Sequence, residues 1–297
     1  MKLICEVTSV AEAKKLLKYE GVEGLIVGID FLSLDINELV ISDIEKIVNL
    51  CKKSQKLLFI NATRIFHEDD LAYIKIILRN SVFKYIDYYL YSDLGFYQIL
   101  VEKGMSDKAV YIAPTYLTNT SDINIFNKLN GYVVVSNQIS SEELKEILNH
   151  VTKQVIVQAF GMACCFYSRR ELVTNYFKFK NKKPLNFRGK LGNLQEETRE
   201  SEYHLVEDIN GVRIFEEKHY YLAEELDDMI NISSLLISHF DIKNKDYLKI
   251  VSLYSDYVTK HLDSRILNDE LNKLGIPLYK GAYQNKTILL KAGVKNE

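Results

Sequence analysis

The chain has 297 residues, 47% hydrophobic and 26% charged, the balance of a soluble domain with a substantial core. Its formal charge of −2 gives no molecule-wide attraction to nucleic acid or membrane, so such a partner must be met by a local patch. No segment approaches the roughly 18 uninterrupted apolar residues that a membrane span requires.

The opening MKLICEVTSV turns polar too soon for a signal peptide. The four cysteines, Cys5, Cys51, Cys164 and Cys165, form no spaced framework, so a reduced, cytoplasmic setting is expected. KLICEV reads as a strand, and SVAEAKKLLKYE as a helix with a serine cap and apolar residues at helical spacing. GLIVGI, the helix SDIEKIVNLCKK, the strand KLLFINAT and the helix EDDLAYIKIILRN follow. YIDYYLYS leads to GFYQILVEKG, whose Gly104 is a helix stop. KAVYIAP precedes DINIFNKLN, GYVVVSN precedes SSEELKEILNHV, and KQVIVQAF is a seventh strand. SSLLISHFDI (233–242), followed by KDYLKIVSLYSDYVTKHL, supplies an eighth strand–helix unit.

Continuous Val, Ile and Leu runs alternating with amphipathic helices imply a parallel sheet covered on both faces. Eight units point to an α/β fold of the TIM-like (β/α)8 barrel type; a doubly wound sheet is the alternative. EVTSVAE, the first strand–helix turn, lacks the glycine-rich phosphate fingerprint that would favour that alternative. The whole chain, 1–297, is expected to form one domain. Between strands seven and eight lies an insert, 161–232, of about 70 residues, a length that in a barrel loop usually carries function. Asn210-Gly211, between two alternating runs of that insert, predicts a β-hairpin. GIPLYKGAYQNKTILLK at the end predicts a further hairpin or an extended cover.

Chemistry in a barrel sits where strands end. The polar residues placed there are Asp30, Asn61, Thr63, Arg64, Ser92, Asp93, Asn137, Gln158, His239 and Asp241. Each also has a plainer reading as the cap of the helix that follows, and for Asp93 the two readings weigh equally. Cys164 and Cys165 are adjacent, without the two-residue gap of a zinc knuckle, and no later cysteine completes a set, so no metal site is expected. The histidines are scattered and form no HExxH motif, and no GxSxG elbow is present.

From Arg169 to Lys190 the chain carries Arg169, Arg170, Lys178, Lys180, Lys182, Lys183, Arg188 and Lys190, with Glu171 the one acid among them. Tyr176, Phe177, Phe179 and Phe187 are interleaved. Cations that follow phosphates, beside rings that stack on bases, make a nucleic-acid footprint. A solvated lysine face with aromatics packing the insert on the barrel is the plainer reading.

FGMACCFYSRRELVTNYF resembles the signature of the collagenase-like peptidase family (the peptidase U-thirty-two group), Gly-Ala-Leu-Cys-x-x-Tyr-Ser-Gly-x-Cys-x-x-Ser. QEETRESEYHLVEDINGVRIFEEKHYYLAEELDDM resembles that family's second conserved stretch, and the likeness covers nearly the whole chain. The resemblance implies a barrel. It also implies either peptidase activity, as the family name has it, or hydroxylation chemistry such as 5-hydroxyuridine formation in tRNA, which some members support with an iron–sulfur cluster on four cysteines. Gly161, Cys164, Tyr167, Ser168 and Arg170 match the signature. Arg169 replaces its second glycine, Glu171 its second cysteine and Thr174 its last serine, and NKKPLNFRGKLGNLQ downstream has no cysteine.

The departures match the short partner subunits of the tRNA-hydroxylating type. The implied role is that of a cluster-free subunit working with a longer, cysteine-complete paralogue that holds the iron–sulfur cluster, with tRNA as a further partner, no cofactor in this chain and no membrane. Expected site residues are Cys164, Tyr167 and Ser168 for chemistry. Gln158, Gly161, Arg169, Arg170, Lys178, Lys180, Asn61 and Asp93 are expected for substrate or RNA. A genuine peptidase, or a barrel that only binds a partner, is the alternative function.

Overall fold

Each apolar run read above is a strand in the computed structural model, which describes residues 1–34, 37–113, 117–183, 191–197 and 202–284. The strands are β1 (Lys2–Val7), β2 (Val22–Ile29), the two-residue β3 (Glu38–Leu39), β4 (Leu57–Ala62), β5 (Tyr88–Tyr91), β6 (Ala109–Ile112), β7 (Tyr132–Val134) and β8 (Val155–Gly161). Helices α1 (Val10–Leu16), α2 (Ile41–Ser54), α3 (Glu68–Ile77), α4 (Leu94–Glu102), α5 (Thr120–Leu129) and α6 (Ser141–His150) alternate with them.

After β8 the chain forms β9 (Cys164–Ser168), α7 (Leu172–Phe179), β10 (Gly192–Gln195), β11 (Glu202–Asp208), β12 (Gly211–Phe215) and β13 (His219–Tyr221). It then returns to the barrel in β14 (Ile232–Ile237), followed by α8 (Asn244–Val258), α9 (Ser264–Asn272) and β15 (Leu278–Tyr279). β14 pairs in parallel with both β8 and β1, so β1-β2-β4-β5-β6-β7-β8-β14 closes on itself. The sheet is a closed barrel rather than an open doubly wound sheet.

Closure follows from residue pattern. Side chains alternate across a strand, and one residue of each barrel strand points inward to a common layer: Ile4, Ile26, Phe59, Leu90, Val110, Val134, Ile156 and Leu236. Their neighbours, such as Leu3, Cys5, Leu25, Leu58, Ile60 and Leu235, face the surrounding helices. Phe59 stacks on Tyr88 at 5.0 Å, and Tyr88 meets Tyr132 at 5.5 Å. The helices start where the caps predict: Ser9 Oγ accepts from Glu12 N at 3.2 Å, and Ser140 and Glu143 form a reciprocal capping box. Gly104, at φ 69°, follows the end of α4.

The predicted hairpin at Asn210-Gly211 is β11–β12, and it is part of a larger unit. β10, β11, β12 and β9 form an antiparallel sheet in that order. The CCFYS of FGMACCFYSRR, expected in the loop insert, is thus a strand paired with β12 (Ser168 opposite Val212, Phe166 opposite Ile214). At the C-terminal end, β15 pairs in parallel with β13, and the rest of the predicted hairpin or extended cover, beyond 284, lies outside the described residues. Among the described residues no helix is long and apolar enough to cross a membrane.

Candidate functional site at the barrel mouth

Period two carries the inner apolar layer directly to the site. One step of two residues beyond it lie Glu6, Gly28, Asn61, Ser92, Ile112, Ser136, Gln158 and Ser238, so the layer nearest the mouth is largely polar. Six of these, Glu6, Asn61, Ser92, Ile112, Gln158 and Ser238, line a cavity of about 470 Å³. Its polar groups are tied to one another. Glu6 Oε2 accepts from Ser238 Oγ at 2.8 Å and from His239 N at 2.7 Å. Asn61 Oδ1 accepts from Thr63 Oγ1 at 2.8 Å, and Ser92 Oγ donates to Ile112 O at 2.6 Å. Asn137 Nδ2 donates to Gln158 Oε1 at 3.1 Å, while Asn137 Oδ1 is buried in the cavity wall with no hydrogen-bond partner among the described residues. A buried acceptor left unpaired costs about 1–3 kcal/mol, which a donor on a bound ligand would recover.

The insert roofs this mouth. β9 and β12 contribute Cys164, Cys165, Phe166, Tyr167, Arg213 and Phe215 to the cavity wall. Arg213 is 3% exposed and its Nη2 lies 2.8 Å from Asp208 Oδ2, a pairing that offsets the cost of burying the guanidinium. It also borders a second, outer chamber of about 760 Å³. Glu6, Leu34, Arg213 and Phe240 border both spaces. The outer chamber is rich in acids: Glu6, Glu38, Asp208 and Asp241 line it. Burial, with Asp30 and Asp208 nearby, raises the Glu38 carboxyl against the opposing pull of Arg64. The mouth therefore presents a buried acid from β1 and a buried cation from the roof to a shared volume of ligand size.

The predicted residues fall into three groups. Asn61, Gln158, Cys164 and Tyr167 line the mouth. Gly161, at φ 146°, packs against Gln158 and Ser238 of that wall. Asp93 serves as the cap of α4: Oδ1 accepts from Phe96 N at 2.9 Å and Oδ2 from Phe66 N at 3.2 Å. Arg169 and Arg170 diverge. Arg169 turns inward, its Nη2 3.8 Å from Asp70 Oδ2, where Arg64 Nη2 also approaches at 3.6 Å. Arg170, Lys178 and Lys180 are exposed.

The described hydrogen bonds of the chemistry candidates run to backbone groups. Ser168 Oγ accepts from Arg170 N at 3.2 Å, Cys164 Sγ donates to Phe166 O at 3.4 Å, and Tyr167 Oη donates to Asn210 O at 3.2 Å. Burial raises the Tyr167 phenol against the pull of Arg169 and Arg213. Five of the six histidine rings are engaged elsewhere: His204 with Asn193 and Glu217, His219 with Phe240, His239 with Glu12, His150 within its helix and His261 with Thr259. Among the described residues no three His, Cys, Asp or Glu side chains converge as a metal site.

Beside the roof, α7 turns its basic and aromatic side chains outward. Tyr176 is 57% and Phe179 80% exposed, and Lys180 Nζ lies 5.8 and 5.9 Å from their ring centroids. The helix is held at its start by Glu207, whose carboxylate accepts from Val173 N at 2.8 Å, Thr174 N at 2.9 Å and Thr174 Oγ1 at 2.6 Å. Phe187, Arg188 and Lys190, predicted to extend this surface, lie outside the described residues. Glu6, Ser238 and Arg213 were not predicted as site residues. The first two carry a signal in the two-residue step, whereas Arg213 is marked only as a lone cation in the alternating run GVRIF.

Comparison with known proteins places this architecture. The model of peptidase family U32 matches residues 9–280. A curated relative, tRNA hydroxylation protein P2 of Bacillus subtilis (strain 168), is 23% identical over 272 residues, 89% of this chain and 87% of that protein. The solved structure of the U32 peptidase Mk0906 shares the fold, with a TM-score of 0.50 at 13% identity over 80% of this chain and 92% of that chain. A tryptophan synthase alpha-subunit from Pyrococcus furiosus gives a weaker TM-score of 0.42 at 12% identity, covering 92% of this chain and 98% of that chain. With its barrel, its signature strand and the match over 9–280, this chain belongs to peptidase family U32.

Proposed function

We propose that this chain is a cluster-free subunit of a tRNA uridine-hydroxylating assembly, acting with a longer, cysteine-complete relative that holds the iron–sulfur cluster. The observation that carries the RNA part is α7. Two exposed rings and a row of lysines stand directly after the strand that roofs the mouth, so a bound RNA strand would stack on Tyr176 and Phe179 with its phosphates on Lys178, Lys180 and Arg170. The mouth beneath is of a size to take one base or small metabolite. Similarity to tRNA hydroxylation protein P2 supports the same reading.

The residues present do not fit a four-cysteine cluster. Cys5 faces the helices from β1, and Cys51 sits on α2, both buried. Burial raises both thiols, that of Cys51 to about 12, away from the thiolate form a cluster requires. Cys164 and Cys165 alone remain at the mouth, two thiols against a requirement of four. No step is therefore assigned to a cluster in this chain.

The test is genetic and chemical. Deleting the gene and digesting total tRNA for nucleoside mass spectrometry is expected to lower 5-hydroxyuridine, with recovery on complementation. Unchanged 5-hydroxyuridine in the deletion strain would remove the proposal.

A further inference from the structure

The wall of the outer chamber holds a buried acid–base pair that the reading above does not use. Glu12, on α1, places Oε1 3.1 Å from His239 Nε2. Its Oε2 accepts from Thr8 N at 2.7 Å and Thr8 Oγ1 at 2.9 Å. Burial by itself would raise the Glu12 carboxyl, but the hydrogen bonds from His239 and Thr8 outweigh it and hold the group below the ordinary value. Glu12 is thus a carboxylate, and the ring nitrogen facing it, Nε2, carries the hydrogen.

That assignment fixes the other side of the ring. In the neutral tautomer Nδ1 is left as an acceptor. Among the described residues it has no hydrogen-bond partner, and His239 lines the outer chamber that Arg213 also borders. The ring cannot swing away: it packs on Tyr247 with centroids 4.1 Å apart, and its backbone N–H is held by Glu6 at 2.7 Å. A tie between β14 and α1 would need Nε2 alone. A second nitrogen left unpaired on a residue that lines a ligand-sized space, beside an orienting carboxylate, is an arrangement suited to a base.

We propose that His239 is the proton-transfer residue of the barrel mouth, positioned by Glu12, and that it acts through Nδ1 on an O–H or N–H group of a ligand in the outer chamber. The proton leaves the ligand heteroatom, whose bonding pair stays behind as a lone pair, and joins Nδ1. The imidazolium formed is paired with the Glu12 carboxylate, while the ligand's new negative charge lies in a chamber bordered by Arg213 and by the acids Glu6, Glu38, Asp208 and Asp241. The proton later returns to product or solvent, so charge and atoms balance. This inference rests on the mouth being the catalytic space of the tRNA-hydroxylating reading.

The discriminating variant is His239→Gln, whose amide N–H can still donate to Glu12 but which has no second ring nitrogen. In a deletion strain complemented with this variant we expect a melting temperature close to wild type and 5-hydroxyuridine lowered tenfold or more, a modest share of the 10²–10⁴-fold typical of general acid–base groups. Wild-type 5-hydroxyuridine with His239→Gln would overturn the proposal and leave the pair a structural tie. Diethyl pyrocarbonate labelling of the unmutated protein, read by peptide mass spectrometry, needs neither a stable variant nor the tRNA assay. Modification of His239 in the native protein, slower than that of the exposed His150, is expected, and a His239 that stays unreactive until the protein is unfolded would overturn the proposal. Failure of the wild-type gene itself to restore 5-hydroxyuridine would instead indict the functional reading, with the labelling still deciding whether Nδ1 is open.

Discussion

Gly161 shows how the family signature acts sterically as well as chemically. Its φ of 146° is one that L side chains rarely adopt, and a Cβ there would lie 2.6 Å from Gln158 Nε2 and 2.7 Å from Ser238 Cβ. Gly161→Ala is therefore expected to lower stability by about 2–4 kcal/mol through backbone strain and overpacking together. A urea unfolding curve measures this, and an unchanged midpoint would contradict it. His219 gives a pH prediction. Burial depresses its imidazole against the opposing bond from Phe240 O. A depressed folded value means that the associated stability is fully present above the ordinary histidine value. It is lost as pH falls through the folded value, because the unfolded chain takes up a proton the folded ring refuses. His219→Gln should flatten the fall in stability between about pH 7 and pH 5; an equally steep fall in the variant, measured by denaturant titration, would assign it elsewhere. At this scale the sequence was partly legible. Glu6, Ser92, Gln158 and Ser238 each stand two residues beyond a core residue, a regularity open to inspection. Arg169 was not legible: it neighbours Arg170 in sequence but turns toward Asp70, a direction set by the packing of the insert on α3.

At the scale of elements, α7 depends on one distant residue. Glu207 of β11 supplies the acceptors for the helix's first free N–H groups, more than thirty positions along the chain. Glu207→Ala is expected to cost about 1–3 kcal/mol by leaving those donors unmet. Hydrogen exchange should show faster exchange across 173–180 with the barrel strands unaffected; uniform acceleration throughout the protein would show that the helix does not open independently. The barrel strands and their helices were readable because local period and caps determine them. The strand character of Cys164–Ser168 was not, since its partner is β12 and the pairing Tyr167–Arg213 joins residues 46 positions apart within the insert. With no fully buried position, that strand lacks the continuous apolar run that marks the barrel strands.

Over the whole molecule, a formal charge of −2 conceals a separation between an acid-rich mouth and an outward basic helix. Binding of tRNA through α7 should accordingly be steeply salt-dependent. Replacing Arg170, Lys178 and Lys180 together by Ala should reduce the salt slope by about 2–3, roughly one for each phosphate no longer neutralised, and weaken binding at low salt. An identical slope in a filter-binding series would place the RNA elsewhere. The central claim is that this barrel works without its own cluster beside a relative that has one. The measurement that reaches it most directly is anaerobic purification of the chain alone and co-expressed with its longer relative, recording iron content and visible absorbance. The account predicts a colourless lone chain and an iron-bearing stable pair. Stoichiometric iron in the lone chain, or no pair at all, would contradict it.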